Sequence, residues 1–172
     1  MRLRAARPED AASIARLHVQ SWRETYPGLI SDSWLKNLSL EARVAAWKEN
    51  LSPSYGGPRF NLVAENDAGE LCGFASGGPR RHEGAAGLEA YSGELWAIYL
   101  LKAAQGQGLG RALFEETRLR LKCEGFASML VWVLKGNPAE GFYAHLGGKP
   151  VGAKKVLIDR EHDELAYGWE KI

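Results

Sequence analysis

Residues 94–116 of the chain read ELWAIYLLKAAQGQGLGRALFEE, an apolar run of strand length followed by a glycine-rich turn and the start of an amphipathic helix. The turn has glycine at positions 106, 108 and 110, although a glycine within a regular element costs about 0.5–1 kcal/mol relative to alanine. A strand, a glycine turn and a helix in this order direct free backbone N–H groups and the positive end of the helix dipole at an anion. The stretch therefore predicts a phosphate site, with an ordinary glycine-rich turn as the alternative.

Two familiar phosphate-binding motifs do not fit this spacing. A dinucleotide fingerprint needs its third glycine three residues after the second, but Arg111 stands there. A P-loop needs Gly-Lys followed by Ser or Thr, and the Gly-Lys pair at 148–149 is followed by Pro150. The glycine turn must therefore serve another class of phosphate ligand, if it serves one.

Outside this stretch, the patterning predicts alternating helices and strands. Pro8 begins a helix that Pro27 ends, and Ser39 caps a second helix that ends at SPSYGGP and whose apolar face consists of Leu40, Val44, Trp47 and Leu51. Patterns of strand type lie at 60–65, 70–77, 128–134, 149–158 and 164–172, with a surface loop at 79–93. Asn137 caps a last helix that ends at Gly147. We find no repeat or linker, which predicts a single α/β domain over residues 1–172.

Composition narrows the class of protein. The 172 residues include 22 Lys plus Arg and 21 Asp plus Glu, so the weak overall field does not indicate a nucleic-acid partner. No apolar run approaches the roughly 20 residues that span a bilayer. Cys72 and Cys123 have no metal-ligand spacing and are too few for a secreted disulfide framework, which predicts a reduced, cytoplasmic protein without a membrane partner.

A second stretch makes the pattern specific. Residues 131–148 read VWVLKGNPAEGFYAHLGG, with an asparagine that opens a helix and a Phe-Tyr pair before Leu-Gly. Together with QGQGLGR at 105–111, this stretch resembles the two signatures of the GCN5-related N-acetyltransferase (GNAT) superfamily at their expected separation. The resemblance implies an α/β (α+β) fold, in which a mixed, mostly antiparallel sheet of about six to seven strands has helices on both faces.

The resemblance also implies acetyl-CoA as the donor. Its pyrophosphate would lie on the N–H groups from Gln107 to Arg111, and its pantetheine arm would pair with the backbone of 98–100, where the family's sheet splays. Asn137 matches a residue that the family places near the pantetheine, although a helix cap alone would also explain it. The implied cofactor-binding residues are Ile98, Tyr99, Leu100, Gln105, Gly106, Gln107, Gly108, Leu109, Gly110, Arg111 and Asn137.

Two side chains match the family's catalytic positions. Glu94 opens the strand ELWAIYLL, where several members carry a base glutamate; the alternative is a solvated carboxylate at a strand end. Tyr143 matches the family's general acid, which would protonate the departing CoA thiolate; the alternative is core packing. Because no nucleophilic cysteine lies in either signature, we expect direct acetyl transfer to an amine in a ternary complex. A non-catalytic acyl-CoA-binding or sensing module is the rival function, and a pure interaction domain is a third.

The acceptor is poorly specified by the sequence. By resemblance, the turn between the first two helices and the loop at 79–93 would form the walls of the amine pocket. Trp22 and Tyr26 are the candidate acceptor-binding residues, although aromatic residues at helical spacing are more often core. Arg80 and Arg81 could meet an acidic group or lie in a solvated loop. The histidines show no ligand spacing, so no metal is expected, and a small-molecule or peptide amine and a homodimer stay open.

Overall fold

Within the residues that the structure describes, seven strands form one sheet in the order β1-β2-β3-β4-β5-β7-β6. The computed structural model describes residues 1–52, 59–81 and 87–172. Neighbouring strands are antiparallel except for β4 and β5, which are parallel. The strands are β1 (Arg2–Ala5), β2 (Phe60–Glu65), β3 (Leu71–Pro79), β4 (Gly93–Leu100), β5 (Met129–Leu134), β6 (Lys149–Leu157) and β7 (Glu161–Trp169). The mixed, mostly antiparallel sheet of the predicted fold class is thereby confirmed.

Helices cover both faces of the sheet. They are α1 (Ala11–Thr25), α2 (Asp32–Lys36), α3 (Leu40–Asn50), α4 (Leu109–Cys123) and α5 (Ala139–His145). Successive side chains of a strand point to opposite faces. Phe74 of β3 accordingly packs in a cluster with α1 and α3, whereas Ala75 packs in the cluster that holds α4 and α5. The predicted helices on both faces are confirmed.

The N-terminal helices follow the sequence signals with two differences. The Ser39 hydroxyl accepts a hydrogen bond from the Ala42 N–H at 3.1 Å, so the predicted cap of α3 is confirmed. Leu40 is 40% exposed, however, because it lies at the first position of α3, before the helix reaches the sheet; its predicted place on the packed face was wrong. The short helix α2 was not predicted, since five residues give no helical period. The predicted end of α3 at SPSYGGP lies largely outside the described residues.

The sheet opens between β4 and β5. β4 pairs with β3 as far as Leu100, but its pairing with β5 is limited to 93–95. Trp96 is an extra residue between the paired residues Leu95 and Ala97, and such a bulge bends a strand and increases its twist. In the described structure, the β4 edge from Trp96 to Leu100 therefore lacks a partner strand on its β5 side.

Among the described residues, neither a membrane-spanning helix nor a metal-holding group of side chains is present. None of their helices combines the length and apolar character needed to cross a membrane. No group of three or more His, Cys, Asp or Glu side chains among them could hold a metal ion.

Candidate active site

The glycines of the turn are required for two structural reasons, a left-handed backbone and close packing. Gly106 and Gly108 have φ of +74° and +79°, a left-handed conformation that side-chain-bearing residues rarely adopt. A Cβ atom at either position would meet no heavy atom within 4 Å. Gly110 instead lies against Leu100 and Phe142, where a Cβ atom would come within 3.3 Å and 3.5 Å of their side chains. The sequence explanation, in which all three glycines make room for a phosphate, is thus incomplete, because the turn and the helix packing require them first.

The turn leads into free backbone donors. The Ala112 N–H donates to the Gly108 carbonyl at 3.0 Å, so the preceding N–H groups, from Leu109 to Arg111, have no intrahelical partner. The amide of Gln105 donates to the Leu100 carbonyl at 3.2 Å, which braces the turn against the end of β4. The amide of Gln107 similarly donates to the Ala103 carbonyl at 3.0 Å. The start of the 15-residue helix α4 is therefore a braced cluster of N–H groups at the positive end of a dipole, which favours a phosphate.

The open edge of β4 leads directly to this turn. Ile98 and Leu100 pack toward the cluster that holds α4, while Tyr99 points to the α1 face. Over residues 98–100, one edge of β4 is paired with β3, and the other edge faces the gap toward β5. An extended chain carrying amide groups could add to this edge as a strand does. The structure thus brings the predicted residues 98–100 and 105–111 into one continuous path.

Tyr143 is buried on α5. Its side chain is 4% exposed, and its ring lies 5.3 Å from Phe142, 6.2 Å from Tyr167 and 6.4 Å from Trp169. Among the described residues, its hydroxyl makes no hydrogen bond. Burial raises the pKa of this hydroxyl, so it stays protonated at neutral pH and can donate a hydrogen bond. Tyr143 therefore packs in the core and also carries an unengaged donor.

Glu94 is not the solvated strand-end carboxylate of the alternative interpretation. It is 1% exposed, and its carboxylate accepts hydrogen bonds from the Arg81 backbone N–H at 2.9 Å and from the Arg81 guanidinium at 3.2 Å. The guanidinium also lies over the Trp96 ring, 4.7 Å from its centroid. Arg81 therefore meets an acid of the protein itself, and the pair fastens the segment after β3 to the start of β4.

Asn137 caps α5. It is 6% exposed, and its side-chain oxygen accepts the Ala139 N–H at 2.9 Å. Its backbone carbonyl accepts the Glu140 N–H at 3.0 Å. The predicted capping interaction is confirmed, while a contact of Asn137 with the donor stays a prediction.

The two predicted acceptor residues meet β4 on the α1 face. The hydroxyls of Tyr26 and Tyr99 share a hydrogen bond of 3.0 Å, and burial raises the pKa of both. The Trp22 ring lies 4.9 Å from Tyr26 and stacks on Trp34 at 5.4 Å. The buried indole N–H of Trp22 falls outside hydrogen-bonding geometry with its polar neighbour, the Tyr99 hydroxyl. Trp22 and Tyr26 therefore lie beside the open strand edge.

Two residues of this region were missed from the sequence. The Trp47 indole N–H donates to Nδ1 of His18 at 3.2 Å, and burial, with a smaller effect of Arg43, lowers the His18 pKa to about 3. Arg43 lies with its guanidinium carbon 6.0 Å from the Trp22 ring centroid. The i, i+4 spacing of His18, Trp22 and Tyr26 on α1 was the signal that could have identified His18. Arg43 gave no comparable signal, because α3 contacts α1 only in the tertiary structure.

Two surface depressions lie away from this site. One of about 390 Å³ lies on the outer side of α4 and includes Leu3, Glu116 and Leu119, and one of about 360 Å³ lies on the outer side of α3. Neither is lined by the candidate residues. The candidate site is an open strand edge with an adjoining helix start, rather than an enclosed cavity.

Known proteins resemble this chain, and the match to a family model includes the candidate site. The sequence model of the acetyltransferase (GNAT) domain matches residues 58–147, which include β4, the glycine turn and α5. YuaI, an uncharacterized N-acetyltransferase of Bacillus subtilis (strain 168), is 43% identical over 171 residues, which cover 99% of this chain and 93% of that protein. The ribosomal-protein-alanine N-acetyltransferase of Brucella melitensis is 25% identical, with a TM-score of 0.72 and coverage of 98% of this chain and 99% of that chain. The PaiA N-acetyltransferase of Thermoplasma acidophilum, solved with coenzyme A, is 19% identical, with a TM-score of 0.70 and 98% coverage of both chains.

Proposed function

The chain belongs to the GNAT family of N-acetyltransferases, and we propose that its residues 1–172 form one domain that transfers an acetyl group directly from acetyl-CoA to the amine of an acceptor. The family makes it an acyltransferase with acetyl-CoA as cosubstrate. The observation that carries the proposal is the open edge of β4, which leads into the free N–H groups of α4. A cytoplasmic location and a homodimer stay predictions.

The donor fits this path by its chemistry. Pantetheine is a chain of amides, so its N–H and C=O groups can pair with the backbone of 98–100 in place of a strand. The pyrophosphate would then lie on the N–H groups from Gln107 to Arg111, where the helix dipole favours negative charge. The residues that we propose as donor contacts are Ile98, Tyr99, Leu100, Gln105, Gly106, Gln107, Gly108, Leu109, Gly110, Arg111 and Asn137.

The reaction needs a proton acceptor and a proton donor. A lysine-like amine with a pKa of about 10.4 is neutral in only about one part in a few thousand at pH 7. The neutral amine attacks the thioester carbonyl carbon, the C–N bond forms, and the C–S bond breaks to release a thiolate. We propose that the Tyr143 hydroxyl gives its proton to the thiolate sulfur. The Glu94 carboxylate is buried and hydrogen-bonded to Arg81, so the amine does not contact it directly. A bridging water molecule therefore carries the amine proton to Glu94.

Direct transfer is supported by the positions of the two cysteines. The Cys72 thiol donates to the Ala64 carbonyl at 3.5 Å within the core. Cys123 is the last residue of α4, at the end opposite the glycine turn. Neither thiol is placed to carry the acetyl group between donor and acceptor, so an acetyl-enzyme intermediate is not part of the proposal.

The test is the release of free CoA in the presence of a panel of amines, with mass-spectrometric detection of the acetylated acceptor. The panel contains polyamines, aminoglycosides, amino acids and peptides with free N-termini. An enzyme releases CoA with at least one class of amine. Tight association of acetyl-CoA without turnover for any amine would instead favour the rival function, an acyl-CoA-binding module. Failure to bind CoA would leave the interaction domain.

Tyr143→Phe tests the proposed acid in the same assay. The variant keeps the ring and its packing but removes the hydroxyl, so kcat should fall about 100-fold while donor affinity and melting temperature change little. Tyr91→Phe is the matched control, because Tyr91 is also buried but packs in a separate cluster with Leu88 and Leu130. Full activity of Tyr143→Phe would exclude the hydroxyl as the acid, and a collapsed melting temperature would make Tyr143 chiefly structural.

A further inference from the structure

We propose that the acceptor amine also carries an anionic group, a carboxylate or a phosphate, and that Arg43 of α3 binds this group beside the Trp22 ring. The inference rests on the proposed acetyl transfer for the amine and adds the acceptor's chemical class. Arg43, Trp22, Tyr26, Trp34 and Tyr99 are together called the aromatic site.

Arg43 lacks an ionic partner within the described structure. Its guanidinium makes no hydrogen bond and no ion pair there, and its carbon lies 6.0 Å from the centroid of the Trp22 ring. The half-buried Arg4, by contrast, donates to Asp10 at 2.7 Å and to Glu65 at 2.7 Å. Taking a cation partly out of water without a partner costs free energy, and the resulting desolvation lowers the pKa of Arg43. An anion bound at Arg43 would recover this cost.

Arg43 lies near Tyr99, a residue of the open edge of β4. Its charge lowers the pKa of Tyr99, although burial raises that pKa overall, and Tyr99 belongs to the open edge of β4. The Tyr99 hydroxyl is held by Tyr26 at 3.0 Å. The Trp22 indole N–H is a second buried donor without a hydrogen bond in the described structure. The Trp22 indole N–H neighbours the Tyr99 hydroxyl inside the protein, so the group that an anion would meet on the acceptor side of β4 is the Arg43 guanidinium.

Two ion pairs and a neutral histidine lie on the elements that carry or flank the aromatic site. Lys154 pairs with Glu164 at 3.3 Å, and Arg81 pairs with Glu94 at 3.2 Å. His18 is neutral at physiological pH, since its pKa is about 3. Arg43 adds to the site a positive charge without an ion pair in the described structure, and this charge attracts an anion. The same charge lowers the pKa of an incoming amine and so favours its neutral, nucleophilic form.

The expected preference follows from the strength of charged hydrogen bonds. A hydrogen bond to a charged group contributes about 1.5–3 kcal/mol, which corresponds to a ratio of about 10- to 100-fold in kcat/KM between acceptors with and without the anion. The aromatic rings add contact area for an apolar substituent.

The experiment compares matched acceptors that differ only in the anion. Phenylalanine is paired with phenethylamine, leucine with 3-methylbutylamine, and phosphoethanolamine with ethanolamine, so that the carboxylate and phosphate sources are separated. For each pair, kcat/KM is measured, and binding to the CoA complex is followed by tryptophan fluorescence. The wild type should favour the anionic member of at least one pair by about 10- to 100-fold. Arg43→Gln should remove that preference by lowering kcat/KM for the anionic acceptor much more than for its partner without the anion, while acetyl-CoA binding is unchanged.

Two further variants keep the test decisive. Arg16→Gln is the matched control, because Arg16 is exposed on α1 and donates only to the Ser13 hydroxyl, so the preference should survive. Arg43→Lys keeps the charge but loses the planar fork, so part of the preference should remain, and it replaces Arg43→Gln should that variant not fold.

The two measurements distinguish a failure of anion binding at Arg43 from a failure of acetyl transfer. If no amine is acetylated, the proposed function fails, while the fluorescence titrations still report whether Arg43 binds the anionic member of each pair. Equal kcat/KM and equal binding within every pair of the wild type would overturn the inference. So would an Arg43→Gln variant that retains the preference, whatever its melting temperature.

Discussion

His18 should make the protein sensitive to mild acid. In the folded protein its pKa is about 3, because it is buried and lies near the Arg43 charge, whereas an unfolded histidine has a pKa of about 6.5. Below pH 6.5 the unfolded chain binds a proton at this position and the folded protein does not, so the free energy of unfolding falls as the pH falls toward 3. Above pH 6.5 neither state binds the proton, and the full contribution is present.

The magnitude follows from the two pKa values. At pH 5, the unfolded state gains about 2 kcal/mol from protonation of this one histidine, and near pH 3 the gain reaches about 4–5 kcal/mol. The pKa of Asp10 is lowered in the folded protein, mainly by its hydrogen bond with Arg4. Asp10 therefore begins to lose its contribution to the free energy of unfolding only when the pH falls to about 4, the pKa of aspartate in the unfolded chain. The interval from pH 7 to pH 5 therefore separates His18 from this carboxylate.

The assay is urea unfolding at pH 7, 6 and 5, followed by tryptophan fluorescence. His18→Gln still offers an oxygen to the Trp47 indole N–H but does not titrate, so its free energy of unfolding should depend about 2 kcal/mol less on pH over this interval. His145→Gln is the matched control, since His145 is exposed at the end of α5. A wild type with equal stability at pH 7 and pH 5, or a His18→Gln variant with the wild-type slope, would refute the reasoning.

The remaining predictions concern the strand edge and the turn. Glu94→Gln should lower turnover most below neutral pH, where the neutral amine is scarcest, with donor affinity unchanged; an unaltered pH–rate profile would move the base role to another group. Gly108→Ala should lower the free energy of unfolding by about 1–2 kcal/mol, because φ is +79° and no neighbour contributes a clash. Urea unfolding of that variant checks the value, and unchanged stability would contradict the left-handed conformation of the turn.

Local patterns in the sequence predicted most elements because each depends on near neighbours. The period-two run at 60–65 and the cap at Ser39 are of this kind, and both are present. The order of the strands and the divergence of β5 from β4 depend on pairing between distant segments. The family resemblance indicated the divergence, and the strand order was not predicted. The Leu40 error has the same origin, since a pattern along α3 does not show where the helix meets the sheet.

The candidate site was predicted unevenly for a related reason. The residues of the turn and strand edge lie within one stretch, 98–111, so a linear motif marks them. The pair of Arg81 and Glu94 joins residues 13 positions apart, and the contact of Arg43 with Trp22 joins two helices. Such contacts arise from tertiary packing, and residue types alone do not reveal which charges will lack partners.

Hydrogen exchange with and without acetyl-CoA tests the central claim most directly, because it reports on the individual backbone N–H groups to which the donor is assigned. Binding should slow exchange at residues 98–100 and 107–111, with a much smaller change on β1, β2 and β6, which lie away from the open edge. Slowed exchange at these two segments would locate the donor along β4 and the start of α4. Saturating acetyl-CoA that leaves both segments unchanged, or protects a different strand edge, would contradict the assignment.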